Sequence, residues 1–153
     1  MKLYFRITAV LLPILMSTAF LQAHCEIPCG IYGDSLRVAL IREHVETIEK
    51  SMKEINALSR EKDRNYNQLV RWISNKEVHA EKIQEIVSQY FLHQRIKPVD
   101  IHEEGYSGYT EKLELLHRIL VSAMKCKQGT DPAEAARLLY YLDLFENAYF
   151  HEH

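Results

Sequence analysis

The chain has 153 residues, a net charge of −2 with histidine neutral, and 47% apolar residues. This length suits one domain that is large enough to bury a core of its own. Because the 19 basic residues are outnumbered by 21 acidic ones and form no concentrated stripe, we expect no nucleic-acid partner.

Residues 1–23 have the pattern of a secretory signal peptide. Lys2 and Arg6 give a short positive start, the next ten residues are almost wholly apolar, and Ala23 is the small residue that signal peptidase needs before its cut. The apolar run is shorter than the ~20 residues of a membrane-spanning helix, and Pro13 interrupts it. The sequence therefore predicts cleavage after Ala23, export to the periplasm or the extracellular space, and no stable membrane anchor after cleavage. An uncleaved anchor is the alternative.

Four amphipathic helices are predicted after this segment. The first runs from about Asp34 to Leu58, because apolar residues recur there every three or four positions. The second is one long helix over about residues 63–94, which Pro98 ends. Residues 97–109 are predicted to form a loop, since they contain a proline and two glycines.

The last two helices have clear end signals. Leu113, Leu116 and Leu120 mark the third helix, which ends near Gly129. Asp131 followed by proline is a strong start signal for the fourth, because it supplies a cap and a residue suited to the first turn. The fold class predicted is therefore all-α, an antiparallel up-down four-helix bundle over residues 34–153 that is preceded by a short segment, residues 24–33.

The cysteines and histidines divide into two groups. The chain has three cysteines, and because this number is odd an exported protein cannot pair all of them internally. Cys25 and Cys29 could close a small disulfide loop or hold a metal ion as two thiolates. Cys126, near a helix end, is predicted to be a buried small residue. Most other histidines lie in polar stretches and are predicted to be at the surface; these are His44, His93, His102, His117, His151 and His153.

Cleavage at the predicted site would make His24 the first residue and would free its α-amine. A deprotonated amine binds metals, and its ordinary pKa is about 7.7–8.0. The amine nitrogen and the backbone nitrogen of Cys25 close one five-membered chelate ring, and that backbone nitrogen and the Cys25 thiolate close another. Cys29 can add a second sulfur, because Pro28 bends the short loop and Gly30 tolerates unusual backbone angles.

Residues 24–33 are therefore predicted to form an N-terminal metal-binding hook, in which these donors would make a square of two nitrogens and two sulfurs. Such a square suits Ni(II) or Cu(II), whereas zinc prefers a tetrahedron. The imidazole of His24 is placed to bind above the plane. Because thiolates and an anionic amide donate strongly, they favour a higher oxidation state of the metal. The site therefore suits one-electron exchange with a small redox substrate.

The motif H-C-x-x-P-C-G-x-Y, from His24 to Tyr32, resembles the amino-terminal nickel hook of the nickel-containing superoxide dismutases. Residues 75–81 are similar to part of that family's second helix, and residues 127–132 are similar to its last turn. The resemblance therefore spans the chain after the signal peptide, with the hook as its distinctive part.

The resemblance implies an enzyme that disproportionates superoxide to dioxygen and hydrogen peroxide. One nickel ion per subunit would alternate between Ni(II) and Ni(III). It would be held by the amine and imidazole of His24, the amide and thiolate of Cys25, and the thiolate of Cys29. Tyr32 would stand over the open face and control access of the anion. The family forms homohexamers of four-helix bundles, so a homohexamer is implied here.

Two further residues are implied to lie beside the ligands. Glu26 follows the first cysteine, where the family commonly has aspartate, and would border the same approach to the metal. His79 stands where some members have an arginine or histidine near the imidazole of the first residue. The sequence also departs from the family, because Ile41 occupies the position of a supporting carboxylate and residues 91–98 replace an aromatic and acidic run. These departures indicate a divergent member.

A function of another class fits the same residues. An exported helical-bundle protein could bind nickel or copper at the hook without turnover, or could hold Cys25 and Cys29 in a disulfide. The state of the two sulfurs and the presence of the metal distinguish this alternative from the dismutase.

Overall fold

The computed structural model describes residues 32–151, and this range contains helices and no β-strand. The elements are α1 (Asp34–Arg60), α2 (Tyr66–Glu85), a π-helix (Ile86–Arg95), α3 (Tyr106–Gln128) and α4 (Pro132–Phe150). The bundle begins at Gly33, where the chain divides into two units. The predicted signal peptide and the hook as far as Ile31 lie outside the described residues.

The four α-helices pack as a ring of neighbours. Helices α1 and α3 each pack against α2 and α4. Helices α1 and α2 are antiparallel. His44 contacts His79, whereas Ser51, which is later in α1, contacts Asn75, which is earlier in α2. The predicted all-α four-helix bundle is confirmed.

One apolar core lies between these helices. Its largest fully buried side chains come from every element and are Ile41, Ile48, Met52, Ile83, Phe91, Leu116, Ile119, Leu138, Leu142 and Phe145. Phe91 packs edge-to-face on Phe145, with ring centroids 5.0 Å apart, and on Tyr149 at 5.6 Å. Within residues 32–151, none of the helices has the combined length and apolar character needed to cross a membrane.

Local capping chemistry explains where several helices begin. The side chain of Asn65 accepts a hydrogen bond from the amide of Gln68, and that of Asp131 accepts one from the amide of Ala133. The start of the fourth helix at Pro132 is therefore as predicted. Gly105 precedes α3 with a φ of 91°, a left-handed conformation that favours glycine.

Two boundaries differ from the sequence prediction. The predicted end of the loop over residues 97–109 is wrong, because α3 begins at Tyr106, directly after Gly105. The long second helix was predicted over 63–94, and helical structure does run from Tyr66 to Arg95, but its last ten residues form a π-helix. There the amide of Ile96 donates to the carbonyl of Phe91, five residues back.

Candidate metal centre

The predicted hook contributes one described residue. His24, Cys25, Glu26 and Cys29 lie outside the described residues, whereas Tyr32 is the first described residue and its side chain is 48% exposed. Over residues 32–151 there is no group of three or more histidine, cysteine, aspartate or glutamate side chains that could hold a metal ion. The ligand set of the hook therefore stays a prediction.

Asp34, two residues after Tyr32, is the most heavily bonded carboxylate at the start of the bundle. Arg95 donates from Nη2 to Oδ2 at 2.7 Å and from Nε to Oδ1 at 2.9 Å. The hydroxyl of Tyr149 donates to Oδ2 at 2.8 Å, and the hydroxyl of Tyr90 donates to Oδ1. These donors come from the π-helix and from α4, so they fix the first residue of α1 to two other elements.

The π-helix explains how two of these donors meet. Tyr90 and Arg95 are five residues apart, which in an α-helix would place them about 140° apart around the axis. A π-helix bonds residues five apart and brings them onto the same side. Both side chains can then reach Asp34. This cluster could not be predicted from the sequence, because the apolar spacing of residues 83–91 is that of an ordinary α-helix.

The protonation of this cluster follows from its contacts. Burial alone would raise the pKa of Asp34, but hydrogen bonds from Arg95, Tyr90 and Tyr149 and the charge of Arg95 outweigh it and lower the pKa. Burial and the hydrogen bond to Asp34 raise the pKa of Tyr90 and that of Tyr149 to about 12 each. At neutral pH the cluster is therefore an ion pair with two protonated phenols, and neither tyrosine is suited to release a proton there.

A cleft of about 540 Å³ opens beside this cluster. Its lining includes the cationic residues Arg95, Lys97 and Lys112 and one carboxylate, that of Asp34. The local charge of the cleft is therefore positive, which favours small anions over cations.

His79 is paired with a residue that was predicted to be at the surface. Its Nδ1 lies 3.1 Å from Nδ1 of His44, and the ring centroids are 4.9 Å apart with an interplanar angle of 80°. Both side chains are half-buried. The surface prediction for His44 is therefore wrong, because α1 and α2 pack with these two positions facing each other. The predicted place of His79 beside His24 is not tested and stays a prediction.

The model of the family described as nickel-containing superoxide dismutase matches residues 19–153. The chain belongs to this family. The family assignment made from the sequence is confirmed, and so is the enzyme class, a superoxide dismutase of the nickel type. No curated protein and no solved structure matches the chain.

In this dismutase a buried lysine, Lys76, binds the C-terminal end of α3, at the opposite end of the bundle from Asp34. No local pattern in the sequence predicts this contact. Lys76 Nζ donates to the carbonyl oxygen of Cys126, to that of Lys127 at 2.7 Å, and to Glu77 Oε1 at 2.9 Å. These carbonyls belong to the last turn of α3, which has no further amides of its own helix to bond. Lys76 therefore has a structural role, as a cationic cap on α3.

Cys126 is fully buried, as predicted. Burial, with a smaller contribution from Glu134, raises the pKa of its thiol to about 11. The thiol is therefore protonated at neutral pH and is a poor metal ligand.

Proposed function

We propose that the chain, once residues 1–23 are removed, disproportionates superoxide at one nickel ion held by His24, Cys25 and Cys29. The observation that carries this proposal is the family match over residues 19–153. The donor chemistry fits nickel, because two thiolates with an amine and an amide nitrogen suit a square-planar Ni(II) ion.

When bound, nickel supplies a one-electron couple, Ni(II)/Ni(III), through which two superoxide anions and two protons become one dioxygen and one hydrogen peroxide. The residues of the chain supply the rest. His24 contributes its α-amine and imidazole, Cys25 its amide nitrogen and thiolate, and Cys29 its thiolate. Tyr32 controls access of the anion, and Glu26 borders the approach.

Maturation creates the site in this proposal. While residues 1–23 are attached, the nitrogen of His24 belongs to a peptide bond and cannot act as an amine ligand. Signal peptidase therefore both releases the exported protein and exposes a ligand. The pattern of two cations, an apolar run and Ala23 supports this step and an exported location, in the periplasm or outside the cell.

We also propose a homohexamer with one nickel ion per subunit. An exposed apolar stripe on α2 supports assembly: Tyr66, Val70 and Ile73 are 68%, 62% and 43% exposed and follow one side of the helix. Native mass spectrometry should show six chains, and Val70→Glu should shift the distribution toward smaller species. A monomeric wild-type protein would contradict the proposal.

The sharpest test of the proposed ligands adds one residue. An alanine placed ahead of His24 replaces the primary amine of His24 with a peptide nitrogen, and it should lower activity by more than about 10³-fold. It should also reduce the nickel content. The matched control carries the extra alanine after His153, which leaves the amine free and should keep full activity.

Full activity of the N-terminal alanine variant would contradict the ligand set. A wild-type protein that holds a Cys25–Cys29 disulfide and no nickel would support the alternative, an exported binding protein without turnover. Circular dichroism of both variants should show the same helical content, which separates loss of the site from loss of the fold.

A further inference from the structure

We propose that His44 and His79 form a second metal site, made of ligands other than those of the hook. It would take one divalent transition-metal ion, of the type that imidazole prefers, through the two Nδ1 atoms. Zn(II), Cu(II) and Ni(II) are the ions of that type.

The separation of the two nitrogens fits a shared ion. Two imidazole nitrogens bound at about 2.0–2.1 Å stand about 2.9 Å apart when the bond angle is square, and about 3.4 Å apart when it is tetrahedral. Nδ1 of His44 and Nδ1 of His79 are 3.1 Å apart, between these two values. The rings stand at 80° to each other, so they approach edge to face and their planes do not collide.

The two ligands are held by long helices. His44 lies within α1 and His79 within α2, and the neighbouring core residues Ile48, Ala80 and Ile83 are fully buried. One to two turns away, the side-chain amide of Asn75 donates to Ser51 Oγ at 3.0 Å and ties the same two helices. The separation of the imidazoles is therefore set by helix packing, and binding needs little ordering of the site.

The protonation state of the pair suits metal binding. Burial is the main cause that lowers the pKa of both histidines, and the charge of Lys82 adds to it. Both rings are then neutral at pH 7. Without a metal, one Nδ1 must carry a proton and the other must accept it. When an ion binds, the ring that carries its proton on Nδ1 would transfer it through solvent to its own Nε2, so that both neutral rings would have their hydrogen on Nε2 and no net proton would be released.

The charges around the pair predict a modest affinity. The negative charge of Glu43 would attract a cation bound at the two rings, whereas the positive charge of Lys82 would repel it. Over residues 32–151, no third histidine, cysteine or carboxylate completes a group with them. Water would fill the other positions, so we expect a dissociation constant no tighter than about micromolar.

The experiment uses the chain from His24 onward with His24→Ala, Cys25→Ser and Cys29→Ser, which removes the side-chain ligands of the hook. Zinc chloride is titrated into this protein by calorimetry, and Cu(II) binding is followed by electron paramagnetic resonance. We expect one ion per chain and superhyperfine splitting from two nitrogens. Adding His44→Ala or His79→Ala should weaken binding at least tenfold, and adding His117→Ala, an exposed histidine of α3, should leave it unchanged.

A conservative variant distinguishes loss of the metal site from loss of the fold. The side-chain amide of His44→Gln can still bond to His79 but is a poor metal ligand, so the helices should stay packed while affinity falls tenfold. Absence of stoichiometric binding would overturn the proposal, and so would equal affinity in the His44, His79 and His117 variants. The side-chain ligands of the hook are absent from every variant, and the amine and amide that remain are the same in all of them. Differences between the variants are therefore independent of whether the hook binds nickel.

Discussion

Each end of the bundle contains one charged side chain that is hydrogen-bonded to other helices, but the groups that bind it differ between the two ends. At the end where α1 begins, Asp34 is an anion held by side chains of the π-helix and α4. At the other end, Lys76 is a cation held mainly by backbone carbonyls of α3. Substitutions can remove the side-chain donors to Asp34 one at a time, and the carboxylate of Asp34 itself titrates. The backbone carbonyls that bind Lys76 cannot be removed by substitution and do not titrate. The Asp34 end should therefore respond to pH and to single substitutions in graded steps.

The largest effect is expected for Asp34→Ala. This change removes the acceptor of three donors and leaves the guanidinium of Arg95, whose side chain is 25% exposed, without this carboxylate. Breaking a partly buried ion pair should lower the free energy of unfolding by about 3 kcal/mol. Urea denaturation measures it, and Asp143→Ala, which removes a half-exposed partner of Arg42, is the matched control with an expected loss below about 1 kcal/mol. Equal losses would contradict the special role of Asp34.

Lys76→Met should cost less, about 2 kcal/mol. Methionine keeps the buried chain length, but the carbonyls of Cys126 and Lys127 lose their shared donor, and unsatisfied buried acceptors carry a penalty of that size. Lys127→Met is the control, because its ion pair with Glu81 lies at the surface. Hydrogen exchange should show faster opening of the last turn of α3 in the Lys76 variant alone. Unchanged exchange there would mean that Lys76 does not cap this helix.

Tyr149→Phe should have a smaller effect, about 1.5 kcal/mol, because one hydrogen bond to a charged acceptor is lost while the ring stays packed. Tyr140→Phe is the control, since its ring is 57% exposed and should change stability little. A loss for Tyr149→Phe as large as that for Asp34→Ala would show that the donors act as one unit and not in steps.

The smallest effect is a difference in acid sensitivity. The pKa of Asp34 is lowered in the folded state, so its contribution to stability is full above its ordinary pKa and is lost as the pH falls through the folded pKa. Asp34→Asn should therefore remove part of the loss of stability below about pH 4. Lys76→Met should leave that acid limb unchanged. Identical acid limbs in wild type and Asp34→Asn would contradict the lowered pKa.

Features that depend on neighbouring residues in the sequence could be predicted, and features that depend on helix register could not. Asp131 and Pro132 predicted the start of α4 because capping is local. The π-helix could not be predicted, since it brings Tyr90 to a carboxylate 56 residues away. His44 and His79 are likewise brought together by helix packing, although they are 35 positions apart in the sequence. The hook is the opposite case: its donors lie within six residues, so chelate chemistry alone suggests a metal.

The central claim is that the chain binds nickel through a free amine on His24 and two thiolates. Intact-protein mass spectrometry of the purified wild-type protein, under native and denaturing conditions, tests it most directly. The claim predicts a chain that begins at His24, carries one nickel ion, and has a denatured mass with both thiols of the hook reduced. A chain that begins elsewhere, or one that has lost two hydrogens to a Cys25–Cys29 disulfide and carries no nickel, would contradict it.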